Sequence, residues 1–388
     1  MHRSKLIIAS LVLVGLMFTG FSCSSSSLTG ARLYIQQKNY EKAVESLQKE
    51  VETNPASAEG FYLLGFVYGE MGDMDKLIIN FDKSLSISGQ FQKDITEYRK
   101  YYWANEFNKG VGYFQKGNNS QNADSIKIFY DKSIEAFKTS TKLEPDSTNT
   151  YKNLAFVYMN AGRNDDAIEP LQKIIDKDQN RDGYRFLGQI YYDRARQLKY
   201  SYESSKEPKD SIAYMENYNK AIMVLEAGRK IYPSDSDILV TLSNSYIGAH
   251  RIEVAKDAFR AGVEQDPNNK YYHYNYGVLL LGSNEFQPSI DQFKKATEID
   301  PVYVNAIYNL GVAYLKWGDK LNEEADAKGM KSDNYKTKIE AALPYLEKVV
   351  QLDATQADMW ETLGKAYSIL SKQADAKNAF DKADQLRK

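Results

Sequence analysis

Residues 236–269 read SDILVTLSNSYIGAHRIEVAKDAFRAGVEQDPNN, and residues 270–303 read KYYHYNYGVLLLGSNEFQPSIDQFKKATEIDPVY. The two segments are equally long, and in each the apolar helical pattern ends at an Asp-Pro pair, with prolines at Pro267 and Pro301. In both, phenylalanine lies eight residues before the proline and a small residue lies twelve before it. Proline lacks an amide hydrogen and clashes with the preceding turn, so each helix ends there. The chain therefore contains a repeat of 34 residues, which indicates stacked helical units.

The same pattern recurs along the chain. Prolines in the same setting lie at Pro55, Pro145 and Pro233, and a Leu-Gly-x-x-Tyr motif recurs upstream, for example at Leu64 and Leu310. These features resemble the tetratricopeptide repeat. The resemblance implies an all-α fold, a right-handed α-solenoid or superhelix of about nine helix-turn-helix repeats that forms one domain over residues 24–388. The nine repeats begin at Ser24, Ala58, Trp103, Thr148, Arg181, Ser236, Lys270, Val304 and Ala357.

Three repeats are longer than the others. The extra residues lie near 118–128, 198–217 and 319–338, between the first and second helix of repeats 3, 5 and 8. In repeat 5 the apolar residues keep helical spacing on both sides of residues 206–209, which predicts a longer helical hairpin that turns there. The polar segment 319–338 is consistent with a loop or with a frayed hairpin. All three are either insertions tolerated at exposed turns or sites of partner contact.

The N-terminal segment resembles a bacterial lipoprotein signal. Sixteen residues without a charge, 6–21, follow Arg3 and Lys5, which is the layout of an export signal and is short for a membrane-spanning helix. Cys23 is the only cysteine of the chain and follows Ser22. The resemblance implies a signal peptide over residues 1–22, a lipid on Cys23 and a short serine tether over 23–27. We therefore expect a lipid-anchored protein of the bacterial cell envelope, held at the outer membrane on either its periplasmic or its surface face. The alternative is an ordinary cleavage site near Cys23.

Composition and motifs argue against several functions. Fifty Lys and Arg residues balance 52 Asp and Glu residues, which gives no basis for nucleic-acid binding. One cysteine and three histidines leave no disulfide framework and no cysteine-based zinc site. Phosphate-binding, nucleotide-binding, serine-hydrolase and zinc-protease motifs are missing, so we predict no enzyme activity and no cofactor. Residues 176–183 carry alternating oxygen ligands, but they lack the glycine and the closing glutamate of a calcium loop.

The resemblance also places a partner site. First helices of tetratricopeptide repeats line a concave surface, reached mainly through repeat positions 2, 5, 6, 9, 12 and 13. These positions are mainly apolar in repeats 2–4 and 7–8, where asparagine amides also suit the backbone of an extended peptide. The centre of the surface is more polar, at Arg185, Gln189, Asp193 and Asn244. The alternative is that position 9 packs against neighbouring first helices. The predicted groove residues are Tyr62, Phe66, Phe107, Val111, Phe114, Asn153, Phe156, Met159, Tyr274, Asn275, Val278, Tyr308, Asn309 and Val312.

Two functions follow from this interpretation. The first is a membrane-anchored scaffold that binds a protein or peptide in its concave groove and helps to assemble or position envelope proteins. The second is a surface lipoprotein that captures glycans or other nutrients on aromatic side chains. The insertions offer Tyr200, Tyr202 and Tyr335 for that purpose but no tryptophan. The motif with which some family members clamp a chaperone's carboxylate is missing, because Phe156 replaces its first asparagine.

Overall fold

The structure, a computed structural model, describes residues 25–330 and 333–387. Within these residues the chain forms eighteen α-helices and one short 3-10 helix, with no strand, which confirms the prediction of an all-α fold. Cys23, the signal peptide predicted over residues 1–22, and Ser24 lie outside the described residues. The chain divides into two compact units, and the boundary falls between Arg163 and Asn164.

The first unit, up to Arg163, consists of seven α-helices and the 3-10 helix in its described part. Side chains that cap helix N-termini mark several starts; Ser25, for example, accepts a hydrogen bond from the amide of Leu28. The helices are α1 (Ser26–Gln36), α2 (Tyr40–Thr53), α3 (Ala58–Glu70), α4 (Met74–Ile87), the 3-10 helix (Gly89–Phe91), α5 (Gln92–Asn118), α6 (Ala123–Leu143) and α7 (Thr148–Asn160).

The second unit, from Asn164 onward, contains the remaining eleven helices of the described residues. They are α8 (Asn164–Asp178), α9 (Arg181–Ser205), α10 (Pro208–Ile231), α11 (Ser236–Gly248), α12 (Ile252–Gln265), α13 (Lys270–Gly282), α14 (Phe286–Ile299), α15 (Val304–Ala327), α16 (Asn334–Leu352), α17 (Ala357–Ile369) and α18 (Gln373–Leu386).

Within each unit the helices pack on their neighbours in sequence. Helix α9 packs on α10, α13 on α14 and α15 on α16, and each such pair also contacts the next helix along the chain. The first helices of successive pairs, α9, α11, α13, α15 and α17, contact one another in that order. A helix pair of this length leaves apolar surface that only its neighbours cover, so within each unit the pairs stabilise one another.

Close helix crossings depend on residues without a side chain. Gly65 on α3 lies against the buried ring of Phe81 on α4, and a Cβ built on Gly65 lies 2.4 Å from that ring. Gly277 on α13 has the same relationship to Phe293 on α14, at 2.8 Å. Because no real Cβ contact is that short, glycine sets the distance between the two helices of these pairs.

The long segments are helical in the described residues. The hairpin of α9 and α10 turns at Lys206 and Glu207, and Lys206 has a left-handed backbone with φ of 55°. Helix α15 continues through Ala327 and α16 begins at Asn334, so most of segment 319–338 is helical; residues 331–332 are outside the described part. Helix α5 begins at Gln92, eleven residues before Trp103, so the residues between repeats 2 and 3 extend a first helix at its N-terminus.

Candidate functional site

Two predicted groove residues of the first unit are covered by the chain itself. The ring of Phe91, in the 3-10 helix, stacks on Tyr62 with 4.5 Å between the ring centroids. Tyr98, at the start of α5, lies 5.1 Å from the ring of Phe66. This burial raises the pKa of the Tyr62 hydroxyl above its ordinary value. The apolar surface of α3 is therefore filled by residues 91–98.

The other groove residues of the first unit are half-buried in the packing of α5, α6 and α7. Phe107 lies between Trp103 and Phe137, with ring centroids 5.5 and 5.6 Å away. The amide of Asn153 donates to the carbonyl oxygen of Asn149, one turn earlier in the same helix, at 2.8 Å. The remaining predicted groove residues of this unit are half-buried as well: Val111, Phe114, Phe156 and Met159.

In the second unit, the amides predicted to hold a peptide have partners inside the protein. Asn275 is only 1% exposed, and its amide donates to the carbonyl oxygen of Tyr271 at 2.8 Å. The amide of Asn309 donates to the hydroxyl of Tyr274 at 3.0 Å. The hydroxyl of Tyr308 lies 3.0 Å from that of Thr362 on α17. Val278 and Val312 are half-buried and pack against the apolar cluster of α13, α14 and α15.

A cavity of about 520 Å³ lies instead on the first helices α9, α11, α13 and α15 of the second unit. We call it the first-helix cavity. None of the fourteen predicted groove residues lines it, whereas Arg185 and Gln189 of the predicted polar centre do. Five of the remaining residues occupy positions 2, 5 or 6 of repeats 6–8, and that position was the available signal; they are Asp237, Val240, Thr241, Tyr271 and Asn305. Phe186 lies at position 6 of repeat 5, whereas Ser236 begins repeat 6 and Tyr303 ends repeat 7. The lining residues are Arg185, Phe186, Gln189, Ser236, Asp237, Val240, Thr241, Tyr271, Tyr303 and Asn305.

One wall of the cavity is ionic. The guanidinium of Arg185 on α9 forms an ion pair with the carboxylate of Asp237 on α11. Asp182 and Asp235 also lie within ion-pair distance of Arg185, at 3.6 and 3.8 Å. Asp235 caps α11, since its side chain accepts from the amide of Ile238 at 3.0 Å. Helices α9 and α11 are thus held together at this wall by a network of charges.

An oriented amide forms the floor between α9 and α11. The side-chain oxygen of Gln189 accepts from the hydroxyl of Thr241 at 3.0 Å, and its nitrogen donates to the carboxylate of Asp193 at 2.8 Å. These two bonds fix the orientation of the amide at the floor. Phe186 and Val240 add apolar surface beside it.

Two tyrosines form another part of the lining. The rings of Tyr271 and Tyr303 lie 5.9 Å apart, edge to face, and Tyr274 lies 5.2 Å from Tyr303. The ammonium of Lys270 lies 5.1 and 5.0 Å from the centroids of Tyr271 and Tyr303, and it pairs with Asp300. Burial, followed by the neighbouring Tyr274, raises the pKa of Tyr303. The cavity therefore combines aromatic faces, fixed hydrogen-bonding groups and an ionic wall, as ligand sites in proteins do.

Other candidate sites carry less chemistry. In the calcium-like segment, the side chain of Asn180 caps α9 by accepting from the amides of Asp182 and Gly183. Residues 25–330 and 333–387 hold no group of three or more His, Cys, Asp or Glu placed for a metal ion. In the long hairpin, Tyr202 packs on Tyr214, with ring centroids 5.7 Å apart, whereas Tyr200 is 75% exposed. Among the described helices, none is both long enough and apolar enough to cross a bilayer.

Comparison with protein families identifies the repeat. Residues 31–72 match a family model described as a TPR repeat. Residues 58–91 and 240–304 match two models described as tetratricopeptide repeats. The prediction of tetratricopeptide repeats is therefore confirmed for these segments.

Curated relatives share parts of the chain. The peroxisomal targeting signal receptor of Candida albicans is 24% identical over 189 residues, covering 48% of this chain and 29% of that protein. Superkiller complex protein 3 of Mus musculus is 22% identical over 353 residues, covering 87% of this chain and 19% of that protein. Photosystem I assembly protein Ycf3 of Acaryochloris marina is 31% identical over 65 residues, covering 16% of this chain and 39% of that protein. This chain thus spans less than a third of the length of the first two relatives, and none of the three is named for a catalytic activity.

Solved structures with similar helices include MamA, at 20% identity and a TM-score of 0.34, covering 47% of this chain and 95% of that one. YrrB, described as a TPR protein with an unusual peptide-binding site, has 19% identity and a TM-score of 0.34. The match covers 57% of this chain and 94% of YrrB.

Proposed function

We propose that this protein is a non-enzymatic scaffold that binds a segment of a partner protein in the first-helix cavity. In the same proposal, a lipid on Cys23 anchors it to the bacterial envelope, where it assembles or positions other envelope proteins. One observation carries the binding role: four successive first helices contribute side chains to one cavity of about 520 Å³. A pocket of that volume accommodates several side chains of a bound segment.

The chemistry of the cavity suits a peptide better than a compact metabolite. The fixed amide of Gln189 and the hydroxyl of Ser236 offer hydrogen bonds to a peptide backbone. The rings of Tyr271 and Tyr303, with Phe186, offer apolar contacts of the kind enriched at protein interfaces. The relatives named as a targeting signal receptor and an assembly protein agree with a role in binding proteins.

The glycan-binding alternative receives less support from the same contacts. It requires several exposed aromatic side chains close together. Tyr202 is half-buried against Tyr214, and Tyr335 is half-buried beside α15 and α16. Tyr200 alone of the three offers a freely accessible ring.

Photo-crosslinking in intact cells tests the binding role. A photoreactive amino acid replaces Val240, which lines the cavity, or Val254, which is 47% exposed on α12 outside it. We expect a protein adduct of defined mass from position 240 and none of the same mass from position 254. Equal adducts from both positions, or none from position 240, would rule out the cavity as the partner site.

A further inference from the structure

The two charged residues that line the first-helix cavity neutralise each other. Arg185 on α9 and Asp237 on α11 form an ion pair, and within residues 25–330 and 333–387 no other charged residue lines the cavity. Asp182 and Asp235 lie 3.6 and 3.8 Å from Arg185, although neither of them lines the cavity. The lining therefore carries one positive and one negative group, and each already has its partner.

A charged ligand side chain gains little from this ion pair. An incoming carboxylate would have to displace Asp237 from Arg185, and it would meet the charges of Asp182 and Asp235 beside the guanidinium. An incoming ammonium or guanidinium would have to displace Arg185 from Asp237. Because taking a charge out of water is unfavourable unless a free partner receives it, the pair disfavours ligand charges of either sign.

The aromatic rings of the lining already have a cation beside them. The ammonium of Lys270 lies 5.1 and 5.0 Å from the ring centroids of Tyr271 and Tyr303, within the range of a cation–π interaction. Asp300 pairs with this ammonium. A second cation at the rings would compete with Lys270, and an anion would be repelled by the negative ring faces. An uncharged group meets neither obstacle.

The remaining lining is uncharged, and several of its groups are fixed in orientation. Tyr271 and Tyr303 pack edge to face with ring centroids 5.9 Å apart, and Tyr274 lies 5.2 Å from Tyr303. The hydroxyl of Thr241 donates to the amide oxygen of Gln189 at 3.0 Å. Groups that are already oriented lose little freedom when a ligand binds. Such a surface favours an uncharged ring, since aromatic pairs attract each other beyond the area that they bury.

We propose that the first-helix cavity selects partner segments through an uncharged aromatic side chain, which packs against Tyr271 and Tyr303 and leaves the Arg185–Asp237 ion pair intact. This inference rests on the proposed function, because it names the side chain by which the partner segment is recognised. The cavity volume of about 520 Å³ has room for one such ring with part of the adjoining backbone. The ion pair contributes specificity, since it penalises segments that place a charged residue at this point.

A selection experiment tests this preference without a known ligand. A phage library of random seven-residue peptides is panned against the purified whole chain and, in parallel, against Val240→Trp, which fills the cavity. Peptides that bind both proteins equally well are discarded. The leading peptide is then synthesised with its most enriched residue kept, or replaced by leucine, lysine or glutamate. Melting curves confirm that every variant protein is folded.

We expect Phe, Tyr or Trp at the most enriched position of the selected peptides. Affinity for the natural chain should fall roughly fivefold on replacement by leucine and roughly tenfold or more on replacement by lysine or glutamate. In Tyr271→Leu/Tyr303→Leu the preference for the aromatic form over the leucine form should fall below about twofold. Tyr200→Leu, which removes a ring that is 75% exposed and does not line the cavity, should leave this preference unchanged.

A second variant tests the role of the ion pair. Arg185→Gln leaves Asp237 without its guanidinium, so affinity for the lysine form of the peptide should rise roughly fivefold over that of the natural chain. Affinity for the glutamate form should not rise. Arg194→Gln is the matched control, because Arg194 also lies on α9 but pairs with Asp165 and does not line the cavity. It should leave the ranking of the peptide forms unchanged.

The outcomes separate this inference from the proposed function. Peptides that need the open cavity but prefer charged or aliphatic residues would overturn the inference and leave the proposed function standing. An aromatic preference that persists in Tyr271→Leu/Tyr303→Leu, or a lysine form that gains nothing in Arg185→Gln, would do the same. A pool that binds Val240→Trp equally well, or no selected pool at all, would overturn both.

Discussion

The ring of Phe91 stacks on the ring of Tyr62, with centroids 4.5 Å apart and ring planes 7° apart. Phe91 belongs to the 3-10 helix that precedes α5, and Tyr62 belongs to α3. The segment between the second and third helix pairs thus covers the first-helix surface of the second pair. An apolar surface that would otherwise be open is closed by residues from the same chain.

Substitution of Phe91 by alanine should open this surface. The loss of the stacked ring should lower the free energy of local unfolding by about 1–3 kcal/mol, a moderate value because Phe91 is half-buried rather than fully buried. Hydrogen exchange of α3 amides, residues 58–70, measures the effect, since repeat arrays open locally. Ile79→Ala on α4, at a side chain 65% exposed, is the control and should leave exchange unchanged. Unchanged protection of α3 in Phe91→Ala would show that the stack contributes nothing.

Substitution by alanine should have opposite effects on stability at two glycines of the first unit. A Cβ at Gly65 meets the fully buried Phe81 ring at 2.4 Å, so Gly65→Ala should destabilise by about 1–3 kcal/mol through overpacking. Gly112 lies inside α5, six residues before its end, and a Cβ there meets nothing within 4 Å. Gly112→Ala should therefore stabilise by roughly 0.5–1 kcal/mol, because alanine restricts the unfolded chain and favours helix. Thermal denaturation compares the two; shifts in the same direction would contradict this account of the helix crossing.

Alkaline pH should weaken the fold between about pH 10 and 12. Burial, together with Glu226 and Glu347, raises the pKa of Tyr246 and of Tyr367 to about 12. Both hydroxyls donate to these carboxylates, at 3.1 and 2.8 Å. Unfolded tyrosine has a pKa of about 10, so in this range the unfolded chain loses protons that the folded chain keeps. The stabilisation is complete below about pH 10 and is lost as the pH rises toward 12.

Urea denaturation across this pH range measures the loss. The double variant Tyr246→Phe/Tyr367→Phe should lose less stability between about pH 10 and 12 than the natural chain, since two of the linked protons are gone. Tyr200→Phe, at a side chain 75% exposed, should behave like the natural chain. If the double variant showed the same pH dependence as the natural chain, protonation of these two tyrosines would not account for the loss of stability.

The repeat spacing predicted the buried core, whereas it did not show which first-helix surfaces the chain itself covers. Phe259 and Phe293, eight residues before their prolines, are fully buried, and Tyr158 and Tyr246 also lie in the core. The covering of Tyr62 and Phe66 was not predicted, because residues 92–102, between repeats 2 and 3, carry no repeat motif that shows which surface they contact. The spacing of residues in the sequence predicts which face of a helix each residue occupies. The spacing does not predict whether the first helix of the next repeat leaves that face open, because this depends on how the side chains fill the space between the helices.

Replacement of Cys23 by serine should release the protein from the membrane fraction. Cys23 lies outside the described residues, but α1 begins at Ser26, so a lipid on Cys23 would hold the first helix pair within about 10 Å of the bilayer. Each buried methylene contributes about 0.8 kcal/mol, and several acyl chains anchor a protein that one chain holds only marginally. Fractionation of cells with the natural chain and Cys23→Ser, with Ser22→Thr as a matched control, measures the release. Mass spectrometry of the mature N-terminus should show acylated Cys23; an unmodified peptide starting near this position would indicate ordinary signal cleavage and no anchor.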